Sequence, residues 1–238
     1  MKEIELQSFH LWEEDKMDRY SRNQKMISFD EQEKISRSTV AILGLGGLGG
    51  YLVEMFTRIG IGKLILVDYD KFEVTNLNRQ IISTEVNLGL SKVEEAKKRV
   101  ETINSKTKII KINKKISQNN IDEIIRKADI VVDALDSSKL KKIVEISCNK
   151  NKIPMVHGAI GGWIGQIAVI MPGDFILDKI YKEDNLENKM GNPSFTPGLV
   201  ASIQVGEVIK ILLNRKGLLN NEILYIDLEY NSFTKLKI

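Results

Sequence analysis

The apolar residues of this chain fall in short runs, and several of them stop at a glycine or an acid. Thr39-Val40-Ala41-Ile42-Leu43 meets Gly44, and Lys63-Leu64-Ile65-Leu66-Val67 meets Asp68. A short apolar run bounded in this way predicts a buried strand. Further strands are expected over 108–112, 129–134, 154–157 and 163–170. The segments between them read as helices over 11–26, 30–37, 48–59, 91–103 and 120–127. One more is opened by Ser137 and runs to about residue 150. Asp30 with Glu33, and Ser91 with Glu94, have the spacing of capping pairs.

Strands alternating with helices predict an α/β fold, a Rossmann-like doubly wound and mainly parallel sheet with right-handed crossovers. Its first strands would lie in the order 3-2-1-4. After about residue 160 the texture changes. Residues 174–197 are irregular and rich in Asn, Gly and Pro, and a long helix, 198–214, stops at Gly217. Residues 222–228 and 232–238 suggest a hairpin with Asn231-Ser232 near its turn, hence a C-terminal antiparallel extension. The expectation is one continuous domain over 1–238. It has N-terminal helices over 1–37, a nucleotide-binding core over 38–160 and an extension over 161–238.

Composition narrows the class. With 238 residues, 42% hydrophobic and 28% charged, the chain can bury a large core. A net charge of +3 is too mild to argue for nucleic acid, but it suits a partner that brings phosphate or an acidic face. One cysteine excludes an internal disulfide and a four-cysteine zinc site, which fits a reducing, cytoplasmic setting. The N-terminus lacks the apolar run of a signal peptide, and no stretch approaches 18 apolar residues, so no membrane span is expected.

The chemistry concentrates in Gly44-Leu45-Gly46-Gly47-Leu48-Gly49, a G-x-G-x-x-G loop between a strand and a helix. Glycines there let phosphate reach backbone N–H groups, and the helix N-terminus adds partial positive charge. Asp68, at the end of the second strand, would meet a ribose hydroxyl. NAD, FAD and ATP can all use this arrangement. Asn76, Arg79 and Gln80 follow the second strand, Lys92 starts a helix, and Asp136 follows the fourth strand. Arg79 and Lys92 supply two cations for a triphosphate, and Asp136 can hold a magnesium ion. No nicotinamide pocket with an acid/base group is evident, which favours ATP over an NAD oxidoreductase.

These motifs occur in a particular order. Arg19-Tyr20-Ser21-Arg22-Asn23 precedes the glycine loop. Leu66-Val67-Asp68-Tyr69-Asp70, Asn76-Leu77-Asn78-Arg79-Gln80, Gly89-Leu90-Ser91-Lys92-Val93 and Asp133-Ala134-Leu135-Asp136 follow it. From about residue 18 onward the chain resembles the ThiF/MoeB/HesA adenylyltransferases, bacterial relatives of the ubiquitin-activating enzymes. The resemblance implies ATP and Mg2+ as cofactors. It also implies adenylation of the C-terminal glycine carboxylate of a small ubiquitin-like sulfur carrier with a Gly-Gly tail, with pyrophosphate released. By resemblance, Asp68 holds the ribose, Asn76, Arg79 and Lys92 hold the phosphates, and Asp136 positions Mg2+. Gly44, Gly46, Gly47, Gly49 and Asp70 complete the nucleotide site. Arg22 reaches the phosphates of the other subunit, which implies a homodimer, so the catalytic set is Arg22, Arg79, Lys92 and Asp136.

The chain also departs from the pattern. Many relatives carry two C-x-x-C pairs for zinc, or a cysteine that takes over the activated carrier. Here only Cys148 is present, on a helical face with Val144 and Ser147, and a buried, inert thiol is expected. No zinc site and no thioester step on this protein are therefore expected, and a separate sulfur donor would complete the pathway. The segment 174–197 is expected to cover the carrier tail. His10 and His157 read as structural, and the lysine pairs at 97–98, 114–115 and 141–142 as solvated faces. Two alternatives stay open. One is an ATP-dependent dehydratase acting on threonylcarbamoyl-modified transfer RNA, which the Asp136-Ser137 region resembles. The other is a nucleotide-binding scaffold without turnover.

Overall fold

The computed structural model describes residues 19–181 and 191–238. All five residues of β1 (Thr39–Leu43) are buried, and β2 (Lys63–Val67) and β4 (Ile130–Asp133) are nearly as enclosed. Strands covered on both faces read as unbroken apolar runs, which is why the sequence pattern located them. Alternate residues face opposite ways. Val40, Ile42, Leu64, Leu66 and Val132 join one core cluster, while Ala41, Leu43, Ile65, Val67 and Val131 join the other. Each fully buried Leu or Ile contributes roughly 1.5–3 kcal/mol, so these two layers hold the fold.

The helices over the first face are α2 (Gly47–Ile59), α3 (Lys92–Ile103) and α7 (Phe195–Leu212). Those over the second are α4 (Ile121–Ile125), α5 (Ser138–Asn151) and α6 (Leu177–Ile180). α1 (Phe29–Arg37) precedes β1. The remaining strands are β3 (Lys108–Ile112), β5 (Met155–Gly161), β6 (Ile164–Ile170), β7 (Glu222–Asp227) and β8 (Ser232–Lys237). All eight form one sheet in the order β3-β2-β1-β4-β5-β6-β7-β8. β1 pairs in parallel with β2 and with β4, and β4 pairs in parallel with β5. From β5 onward the pairs are antiparallel. The expected α/β architecture, the 3-2-1-4 order and the C-terminal hairpin are all present. The hairpin turns at Asn231, whose φ is +53°. α7 has the length and apolar character of a membrane-spanning helix, yet half of it is buried within the protein, against α2, β5 and β6.

Local boundaries moved for identifiable reasons. The helix expected over 11–26 lies partly outside the described residues; from Arg19 it ends in a 3-10 turn at Ser21–Asn23. α1 is capped by Ser28 with Glu31, not by Asp30 with Glu33: Glu31 N–H donates to Ser28 Oγ and Ser28 N–H to Glu31 Oε2. Ser91 precedes α3 without a side-chain cap, and the Glu94 carboxylate pairs with Lys111 at 2.6 Å and not with the Ser91 backbone. β5 runs on to Gly161, since it continues into a hairpin with β6. α7 starts three residues before the expected 198, because Pro197 is tolerated in a helix's first turn. Lys141 is not on a solvated face: it is 3% exposed. It follows the inward spacing of Val144, Glu145 and Cys148 on α5.

Candidate nucleotide site

The loop between β1 and α2 is held by contacts that only glycine permits. Gly44 has φ +91° and its N–H donates to the Val67 carbonyl. A Cβ on Gly44 would come 2.7 Å from the Ala134 carbonyl oxygen, and one on Gly49 would come 1.9 Å from the Gly44 oxygen. The first pair thus packs β1 against β4, and the second packs α2 onto the loop. α2 has Gly46 at its N-cap and no side-chain cap, so its first N–H groups are offered to a ligand. Positions 46 and 47 face the Gln80 Nε2, the Arg79 side chain and Pro197 at 3.5–3.7 Å from where a Cβ would sit.

Asp68 braces this loop. Its Oδ2 accepts from Leu45 N–H at 2.7 Å and its Oδ1 from Asp70 N–H at 2.8 Å. Each carboxylate oxygen can accept a second hydrogen bond, which leaves acceptor capacity for a hydroxyl donor. Asp70 pairs with the Lys92 ammonium at 3.5 Å, and Lys92 is nearly buried. Asn76 is buried and its Oδ1 accepts from Glu73 N–H, closing its own turn. Arg79 donates to the Thr75 carbonyl and to Asn78 Oδ1, and the Cγ and Cδ of its side chain lie beside Gly47. Gln80 is buried with its Oε1 unpartnered among the described residues.

Across the crevice, β4 ends at Asp133 and the chain turns to the exposed Asp136. The geometry therefore brings together Gly44, Gly46, Gly47, Gly49, Asp68, Asp70, Asn76, Arg79 and Lys92, with Asp136 exposed on the turn whose Ala134 abuts Gly44. It does not bring Arg22. The neighbouring Tyr20 packs on Gly60 and accepts from Asn104 Nδ2, both at the ends of helices that lead into β2 and β3. Arg22 thus lies at the opposite end of the strands, about 17 Å of β1 away from the loop. A shallow cavity of about 400 Å³, lined by Lys34, Arg37, Asp129 and Asn214, opens at that same distant end.

Sequence reading missed a buried polar cluster beneath the Asp136 turn. Asp133 is fully buried. Its Oδ1 accepts from Leu135 N–H at 3.0 Å, and its Oδ2 accepts from Lys141 Nζ and His157 Nδ1, each at 2.8 Å. Burial alone would push its pKa up, but Lys141 and the His157 hydrogen bond overcome this and hold it below the carboxylate range. Burial pushes the His157 pKa down, so the ring is neutral. With Nδ1–H donating to Asp133, the other nitrogen accepts from Tyr181 O–H at 3.2 Å. Gln204 Nε2 on α7 donates to the carbonyls of Asp133 and Val156. The available signal was the helical spacing of Lys141 with Val144 and Cys148. Cys148 is buried, and burial raises its pKa far above the usual thiol range.

A glycine loop and an acid-bearing turn facing each other at the carboxyl ends of β1 and β4 define a nucleotide-binding protein of the doubly wound class. A model of the ThiF family matches residues 20–238. The molybdopterin-synthase adenylyltransferase of Haemophilus influenzae is 34% identical over 217 residues, 88% of this chain and 89% of that protein. The SAMP-activating enzyme E1 of Haloferax volcanii is 29% identical over 219 residues, 89% and 81% of the two chains. Among solved structures, E. coli MccB with ATP superposes with a TM-score of 0.81 at 25% identity, covering 92% of this chain and 71% of that one. The chain belongs to the ThiF family, and it is an adenylyltransferase.

Proposed function

We propose that this protein adenylates the C-terminal glycine carboxylate of a small ubiquitin-like sulfur carrier, with ATP as donor. One observation carries the reading: the turn that bears Asp136 lies directly against the glycine loop, with the Ala134 oxygen on Gly44. Nucleotide loop and acid then serve one site. Family membership and the ATP-bound relative support the choice of nucleotide.

The carrier carboxylate is already an anion, so no general base is required. Its oxygen attacks the α-phosphorus, an acyl–oxygen–phosphorus bond forms, the bond between α-phosphorus and its bridging oxygen breaks, and pyrophosphate leaves. The protein positions the groups and neutralises charge. Lys92 moves from Asp70 to phosphate. An ion pair with a half-exposed carboxylate is worth about 0–1 kcal/mol, whereas a charge-assisted bond to phosphate contributes roughly 1.5–3 kcal/mol. Asp136 is the residue to hold Mg2+. No three His, Cys, Asp or Glu converge among the described residues, which fits an ion that takes one carboxylate and completes its shell with phosphate and water. Bound there, the ion would neutralise phosphate charge.

The test is ATP–pyrophosphate exchange with Gly-Gly-tailed carriers. Exchange is expected only when a carrier is present, and Asp136→Ala should abolish it with the melting temperature unchanged. Exchange driven by transfer RNA and not by any carrier would overturn the substrate. Nucleotide binding without exchange under all conditions would leave a scaffold. The homodimer, Arg22 acting in trans, and a separate sulfur donor belong to the same proposal.

A further inference from the structure

β4 and β5 pair only through Val131↔Met155 to Asp133↔His157, and then they part. β4 leaves toward Asp136, while β5 continues beside β6. Two side chains fill the fork. Lys141 Nζ donates both to Asp133 Oδ2 and to the Gly158 carbonyl, each at 2.8 Å. Gln204 takes the carbonyls of Asp133 and Val156, and it presses on residue 158 so closely that a Cβ there would come within 2.5 Å of it. The Asp133 carboxylate in turn holds Leu135 N–H. One ammonium therefore ties both prongs of the fork and, through Asp133, the first bond of the turn. Buried charge pairs often stabilise no more than apolar pairs of the same volume, so what this one adds is the set of buried groups it holds: the Gly158 carbonyl and, through Asp133, Leu135 N–H.

We propose that Lys141 is a positioning residue for Asp136, fixing from the fork the turn that presents this carboxylate to the nucleotide. The inference rests on the proposed role of Asp136. It touches no reacting atom itself; it acts through Asp133 and Leu135.

Two readouts on protein without carrier test it. Amide hydrogen exchange at Leu135 reports the turn in the nucleotide-free state. The Mg2+ concentration for half-maximal ATP binding, followed by calorimetry, reports Asp136. In Lys141→Met the Leu135 amide should exchange about tenfold faster or more, as expected of a locally opened turn. The Mg2+ requirement should rise about tenfold, the usual lower bound for losing a residue that orients a metal ligand. Lys141→Arg, which keeps charge and donors, should recover most of both. If Lys141→Met fails to fold, the charge-neutral pair Asp133→Asn/Lys141→Met takes its place with the same expectation. A folded variant with a lowered melting temperature but wild-type Leu135 exchange, or with faster exchange and an unchanged Mg2+ requirement, overturns the proposal. Should the wild-type protein show no carrier-dependent exchange activity, the proposed function fails while the amide and Mg2+ readings still decide the fork.

Discussion

A methyl group at residue 49 would meet the Gly44 carbonyl oxygen at 1.9 Å, and that oxygen belongs to the glycine loop between β1 and α2. Gly49→Ala must displace backbone, at a cost of about 1–3 kcal/mol of strain. ATP binding should be lost beyond what destabilisation explains. Urea unfolding and calorimetric titration of ATP on the folded fraction separate the two effects. His157 gives a second prediction. Its folded pKa lies below the ordinary 6.5, so the unfolded chain takes up the proton first. Its contribution is complete above pH 6.5 and is lost as pH falls toward the folded value; Asp133, held low, yields only in more acid conditions. The melting temperature should fall from pH 7 to about pH 5, and His157→Gln should flatten that slope. An unchanged slope would remove His157 as its cause. Of these residues the glycines were legible, because spacing alone defines them. Lys141 was not: a lysine suggests solvent until its helical face is considered together with Asp133.

At the scale of elements, α5 is the frame for the stretch that follows β6. Glu145 accepts from Ile176 and Leu177 N–H, capping α6, and Asn149 bridges Gly173 N–H and the Asp174 carbonyl. Glu145→Ala strands two buried donors, costing about 1–3 kcal/mol for each. Limited proteolysis should then cut within 173–181 well before the protein unfolds, and Glu145→Gln, which keeps an acceptor, should resist. Equal resistance in both variants would mean that the cap is dispensable. Strands buried on both faces were visible in the sequence because apolar runs have no other use there. Their ends were less visible, since distant side chains set them. β4 stops where Asp133 claims Leu135 N–H, and the Glu94 carboxylate turns to Lys111 on β3 and not back to Ser91. The segment expected to cover a carrier tail, 174–197, includes residues 182–190, which lie outside the described residues.

At the scale of the molecule, Arg22 and Lys92 sit at opposite ends of the same strands, so in the proposed homodimer each site would draw one from each chain. Mixing Arg22→Ala with Lys92→Ala subunits should restore up to about a quarter of wild-type exchange activity, the statistical share of intact sites in random dimers. No rescue would count against action in trans. The mainly parallel sheet with its antiparallel extension has another consequence, in time. β5 to β6 and β7 to β8 join through short turns, whereas Thr39 meets Asp129, at the edge of the β1–β4 pair, across 90 residues of chain. Local pairs close early and distant ones late. The crevice stands on the seam of longest chain separation, so a full-length chain that refolds acquires its hairpins first and its ability to hold a nucleotide last.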